Sequence, residues 1–231
     1  MTDDPLSYLE AEHHRPYGSR IAFQEQLAAC DQALVTVGQL VQRSIVPMTE
    51  GFLSGDAAVV EREIAVDAEV DRQCAELEER CYLLIARQSP VAGDLRRLVA
   101  ILRCVADVER AGDLLRHVGE SLTWVHPPDM AQPLRRTIAQ LGEVSADVFG
   151  GALDAWTRHD GLAATDLQVR DDEADLLQKT LLTELSSGTH PVEESVSLAL
   201  IARYYERIAD HGVEMARQVT YFLTGERVGT G

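Results

Sequence analysis

The sequence is short of most features that announce a catalytic or nucleic-acid-binding protein. Aromatic residues make up only 5% of its 231 residues, and 21 Lys and Arg stand against 38 Asp and Glu, a formal net charge of −17. Non-specific binding to nucleic acid or to an anionic membrane surface needs positive charge, so this balance disfavours both. No apolar run approaches the roughly 20 residues needed to span a bilayer. The opening stretch, MTDDPLSYLEAEHHRPYG, has no basic-then-apolar signal pattern and predicts a mobile leader on a cytoplasmic protein. G-x-x-x-x-G-K-[ST] and G-x-G-x-x-G stretches are missing, which argues against a nucleotide site, and no G-x-S-x-G elbow offers a nucleophile. Nor does any helix carry a basic recognition face, so an effect on transcription has to pass through a partner. The four cysteines (Cys30, Cys74, Cys81 and Cys104) form no C-x-x-C pair and predict reduced, buried thiols.

What remains is a composition of Leu, Ala, Val, Glu and Arg, 45% hydrophobic and 26% charged, that builds long helices more readily than sheets. No stretch alternates with period two for long enough to be a strand. Punctuation divides the chain into six helices, the first from Gly18 to Phe52 with Pro47 as a kink or early stop. Ser54 or Asp56 caps the second, which runs to Gln88 before the SPVAGD break, and the third runs from Val91 to Thr123. The proline-rich segment from 124 to 132 reads as a linker, and three more helices follow over 133–158, 161–186 and from SSGTHP to Thr224. Short turns between long helices favour antiparallel neighbours. The expected architecture is all-α, two tandem three-helix bundles over 18–123 and 133–224, with a leader at 1–17 and a flexible tail at 225–231.

The two halves repeat each other. DVERAGDLLRHVGESL (107–122) aligns without gaps to YYERIADHGVEMARQV (204–219), and DAEVDRQCAELEERCYLL (67–84) matches DDEADLLQKTLLTELSSG (171–188) in placing acids four apart. An inherited duplication of a three-helix unit is the economical reading. Residues four apart nearly overlay on a helix, which advances about 100° per residue. Asp67 and Asp71 therefore fall in the stripe of Val60, Ile64, Cys74, Cys81 and Ile85. Glu109 falls within the arc of Leu98, Leu102, Val105 and Val108, with Asp113 nearer its edge. Asp171 sits beside Leu167, Leu181 and Leu185 with Asp175 at the margin, and Glu206 and Asp210 take the register of Glu109 and Asp113. Two like charges one turn apart cost an exposed helix about 0.2–0.5 kcal/mol, and a packed face several times more unless something cationic neutralises them. Nearby arginines, Arg72, Arg97, Arg110 and Arg207, could supply that charge. Alternatively, each half sets a D-x-x-x-D helix against an E-x-x-x-D helix, four hard oxygen donors suited to a metal ion or a small cluster.

DLRRLVAILRCVADVERAGD (94–113), preceded by QSPVAG, together with LIARYYERIADH (200–211), resembles the PhoU family of bacterial phosphate-transport regulators, over roughly residues 20–222. The resemblance implies two three-helix bundles whose E(D)-x-x-x-D motifs hold multinuclear metal clusters. Iron and zinc come first among the metals, with manganese or magnesium behind them. It makes ligands of Asp67, Asp71, Glu109, Asp113, Asp171, Asp175, Glu206 and Asp210. It further implies a negative regulator of the phosphate-starvation response that touches a phosphate-sensing histidine kinase and the ATPase subunit of a phosphate ABC transporter, works as a homodimer, and performs no catalysis. The family pattern E-R-I-G-D-H-A-x-N is altered here. His117 and Glu214 replace its Asn, and Ala209 replaces its Gly in the second copy, so both become extra candidate ligands or surface groups.

Two other roles remain open on sequence. One is a metal-binding accessory of a low-affinity phosphate permease. The other is a carboxylate-bridged di-iron enzyme, which needs Glu-x-x-His pairs on two helices, whereas the one such spacing is Glu10/His13 in the leader. His211 reads more readily as a surface histidine than as a ligand, and His13, His14, His126, His159 and His190 as solvated groups in the leader, linker and turns.

Overall fold

The computed structural model describes residues 17–187 and 190–226. Within them lie six long helices and no strand: α1 (Tyr17–Ser54), α2 (Ala57–Gln88), α3 (Ala92–Glu120), α4 (Gln132–Arg158), α5 (Ala163–Ser187) and α6 (Val192–Thr224). The all-α expectation and the six helices hold. Two three-residue 3-10 turns, Ser121–Thr123 and Pro127–Asp129, extend α3 and interrupt the proline-rich connection. Glu10, His13 and His14 lie outside the described residues, as does most of the expected leader and tail.

The boundaries have local causes. Asp56 is the cap that starts α2, its carboxylate accepting from the Ala58 and Val59 amides at 3.1 and 3.2 Å. The chain leaves α2, α4 and α6 through left-handed residues, Ser89, His159 and Gly225, which stop each helix by reversing the backbone. Of the two outcomes expected at Pro47, a kink or an early stop, the early stop does not occur: α1 runs on to Ser54. Ile45, Met48 and Phe52 around it are fully buried, and their burial outweighs the one amide hydrogen bond the proline removes.

Within each half the helices pack as expected, α2 against α1 and α3, α5 against α4 and α6. The halves then merge: α1 lies along α4, and α3 along α6, so one hydrophobic core runs through all six helices. Trp156 and Tyr205 are its largest fully buried side chains, and both polar tips are satisfied across the junction. The Trp156 indole donates to Asp31 Oδ1 at 3.2 Å. Thr49 gives its one hydroxyl proton to the Ile45 carbonyl, so the Tyr205 hydroxyl donates to Thr49 Oγ1 at 2.7 Å. Ser145 ties the same place to the Tyr205 carbonyl at 2.8 Å. Small residues let the backbones approach: a Cβ on Gly212 of α6 would lie 3.0 Å from Cα and 3.1 Å from N of Phe149 on α4.

Gly212→Ala should therefore wedge α6 from α4 and lower unfolding free energy by about 1–3 kcal/mol in a denaturant titration. Gly93→Ala, where the added carbon meets nothing closer than an arginine tip at 3.9 Å, should be neutral or stabilise by a few tenths of a kcal/mol up to about 1.

Candidate functional site

The eight acids lie on the seams between an outer and a central helix, α2 with α3 and α5 with α6, but they are not equally covered. Asp171 and Glu206 are buried, at 7% and 6% exposure. Asp67, Asp113 and Asp175 are half-buried, and Asp71, Glu109 and Asp210 are exposed. Asp67 continues the buried row of α2, Val70, Cys74, Leu77, Cys81 and Leu84. The expected ranking on α3 is reversed. Because α3 must cover both its own half and α6, its buried arc turns toward Ala111, Gly112 and Leu115, which leaves Glu109 outside and brings Asp113 inward.

In each half the motif acids of the two facing helices feel one another. Burial, followed by the charge of Asp71, raises the Asp67 carboxyl above its usual range, while Arg116 draws it down. Burial and the charges of Asp71 and Asp113 likewise raise Glu109. The effect is larger in the second half. Burial and the charges of Asp210 and Asp175 push Asp171 up to about 6, and burial and Asp210 push Glu206 up to about 7.

Neutralisation in the first half comes from an arginine absent from the sequence reading. Arg116 places Nε 2.8 Å from Asp67 Oδ2, one terminal nitrogen 2.8 Å from Asp113 Oδ1 and the other 2.6 Å from Glu120 Oε1. Its four-residue spacing from Glu120 was visible in the sequence, but the reach to Asp67 on another helix was not. Arg110 and Arg207 act through their field on Glu109 and Glu206. Arg72 pairs with half-buried Glu69 and exposed Glu76 on its own helix. Arg97 serves a different acid altogether, lying 2.6 Å from Asp31 and holding α3 to α1.

In the second half Arg203 pairs with one oxygen of Glu206 from the same helix. Gln168 donates to Asp171 Oδ2 at 3.1 Å and accepts from Arg217 at 2.7 Å. Lys179 stands 3.6 Å from Asp175. Asp171 Oδ1 and Glu206 Oε2 remain buried with no hydrogen-bond partner, as does Asp67 Oδ1 in the first half. Buried carboxylate oxygens without partners are costly, and an added cation or proton is what relieves them. Hard oxygen donors of this kind fit manganese or magnesium best among the metals implied by the family resemblance. Among the described residues no three His, Cys, Asp or Glu side chains already converge as a metal-ligand group. An ion would draw in the exposed Asp210 and the half-exposed Asp175.

Of the histidines, His211 departs from expectation, whereas His126 and His159 are exposed, as expected. His211 is buried rather than on the surface, its Nδ1 2.9 Å from Asp107 across the α3–α6 seam, because α6 is covered on both sides. His159 is packed edge-on against Phe222 and shares a hydrogen bond with Arg97 at 3.3 Å. His117 turns its ring toward Tyr204, 5.5 Å between centroids, and Glu214 accepts from Gln218 at 2.7 Å. All four cysteines are free and buried, as expected.

The PhoU domain model matches this chain twice, over residues 34–122 and 138–219. The "phosphate-specific transport system accessory protein PhoU homolog 2" of Mycobacterium tuberculosis is 32% identical over 209 residues, which cover 89% of this chain and 98% of that protein. Homolog 1 of Mycobacterium leprae is also 32% identical, covering 89% and 94%. The crystal structure of PhoU from Streptococcus pneumoniae superposes with a TM-score of 0.82 at 23% identity, covering 90% of this chain and all of that one, which supports the fold.

The raised carboxyls set a pH dependence for the metal-free chain. Both bind their proton more readily folded than unfolded, where their values are 3.8 and 4.5. Their contribution to stability is whole below about pH 4 and is lost as pH rises through about 6 and about 7. Asp171→Asn with Glu206→Gln should leave the melting temperature near pH 4 unchanged. At pH 8 the same pair of changes should raise stability by roughly 2 kcal/mol.

Proposed function

The chain belongs to the PhoU family, and from that premise we propose that it is a regulatory accessory of a phosphate transport system and keeps the phosphate-starvation response off when phosphate is plentiful. It acts by protein–protein contact, between the ATPase subunit of a phosphate ABC transporter and a phosphate-sensing histidine kinase, on the cytoplasmic side and as a homodimer. It carries out no reaction of its own. The match of both halves to the family model, with relatives named as transport-system accessory proteins aligned over nearly nine-tenths of the chain, is the observation that carries this reading.

The chemistry of the chain is in keeping with it. A net charge of −17 steers the protein away from nucleic acid and lipid headgroups and toward basic protein surfaces. Among the described residues no helix is long and apolar enough to cross a membrane, so contact with a transporter would run through its soluble parts. Exposed apolar side chains, among them Val192, Val196 and Leu200 one turn apart on α6, offer contact area. Metal ions, iron or zinc by family likeness and manganese or magnesium by the all-oxygen donor set, belong to the acid seams. Asp171, Asp175, Glu206 and Asp210 would hold one in the second half, and Asp67, Asp71, Glu109 and Asp113 are the corresponding set in the first. A bound ion supplies positive charge to carboxylates that otherwise repel and so ties an outer helix to a central one.

Deleting the gene, together with any second gene of the family, should raise expression of a starvation-induced phosphatase reporter in phosphate-rich medium. A reporter that stays repressed would remove the regulatory reading. Genes for a lone phosphate permease beside this one, in place of a transporter and kinase, would favour the permease accessory.

A further inference from the structure

The duplication supplies an internal control. The gapless alignment that pairs Glu109 with Glu206 and Asp113 with Asp210 pairs Arg116 with Val213. Val213 is buried, at 2% exposure, and brings no charge. At the matching place in the first half, the guanidinium of Arg116 bonds Asp67 of α2 and Asp113 and Glu120 of α3 with three different nitrogens. A cation is thus already part of the first seam, and it joins the same two helices that a metal ion would join. We infer that the two acid clusters are not equivalent: the α5–α6 cluster of Asp171, Asp175, Glu206 and Asp210 is the metal site, and the α2–α3 cluster is closed by Arg116. This rests on the metal-binding part of the proposed function and assigns it to one half of the molecule.

Three observations support the difference. First, the second cluster has two buried oxygens without partners, Asp171 Oδ1 and Glu206 Oε2, one on each helix of the seam, whereas the first has only Asp67 Oδ1. Second, both residues that carry them are more than nine-tenths buried, so solvent does not relieve them. Third, no arginine bridges the second cluster's acids as Arg116 bridges the first's: Arg217 reaches Asp171 only through Gln168, Lys179 stands at Asp175, and Arg203 alone among the arginines pairs directly with one of the four acids. Arg203 pairs with Glu206 on its own helix, its side chain is 48% exposed, and its counterpart in the first half is Ala106. Swinging into water releases it at little cost, since exposed ion pairs are weak. Arg116 is only 27% exposed and is held by three carboxylates from two helices, so a dication entering the first seam must displace a multiply bonded guanidinium and then sit beside it.

Manganese(II) is the probe, followed by its electron paramagnetic resonance signal and by native mass spectrometry on the intact chain. Circular dichroism melts confirm that each variant folds. The wild type should show tight binding at one cluster. Asp171→Asn with Glu206→Gln should weaken that binding on the order of tenfold or more, and Asp67→Asn with Asp113→Asn should leave it within about twofold. Arg116→Val, which copies the second half, should add a second set of bound ions, and Arg116→Gln serves the same purpose if the valine variant does not fold. Equal loss from both double variants, or no gain from either Arg116 variant while the wild type binds, overturns the inference but leaves metal binding standing. No manganese(II) bound to the wild type or to the Arg116 variants overturns metal binding itself, and the inference with it.

Discussion

Four of the six helices, α1, α3, α4 and α6, have to cover apolar side chains against their own half and against the other half at once. Most of what is unusual in the chain follows from that constraint. Wide buried arcs leave little room for bulky side chains at the crossings, and Gly212 accordingly meets the backbone of Phe149. Polar groups caught in the junction must find partners there, which is why Asp31 has both Arg97 and the Trp156 indole, and Tyr205 has Thr49. Burial still raises the Asp31 carboxyl, with Arg97 working against the rise. α2 and α5 are spared the constraint. Each contributes one face and turns the other to solvent, so the acids at the edge of that face end up partly inside.

The same architecture has been filled in differently by its two copies. In one, a single arginine bonds Asp67 across the seam as well as Asp113, with one Asp67 oxygen left over. In the other, two carboxyls stay buried with an oxygen each left over, and they hold protons to near-neutral pH. A duplicated unit needs to preserve its packing face to keep the fold, but each acid seam can be neutralised in its own way.

Periodicity and punctuation in the sequence carried the helices to within a few residues, because long amphipathic segments with Gly, Pro and Asp at their ends leave few alternatives. α1 continues through Pro47 because the burial of Ile45, Met48 and Phe52 outweighs a local penalty that a sequence shows in isolation. The acid pairs were visible through their spacing and repetition. Their ranking by burial was not, because Glu109 and Asp113 trade places once α3 is rotated toward a partner helix that a single-helix projection ignores. The Arg116 contacts were hidden for the same reason: the decisive one crosses from α3 to α2, 49 residues away. The burial of His211 was hidden because a histidine in the middle of a helix gives no sign of what a distant helix lays over it.

The peripheral position of α2 and α5 bears on how the molecule can move. α2 rests on α1 and α3, and α5 on α4 and α6, while the central four hold one another. Each acid cluster is therefore split between a helix embedded in the rigid centre and one attached by a single side. Opening free energies are lowest where the fewest apolar contacts must be broken. Parting an outer helix from the centre thus breaks fewer contacts than parting the central four from one another, and the acid clusters sit on those seams. A change of one or two charges there bears on the attachment of an outer helix, at the surface of the molecule, before it bears on the packing of the centre.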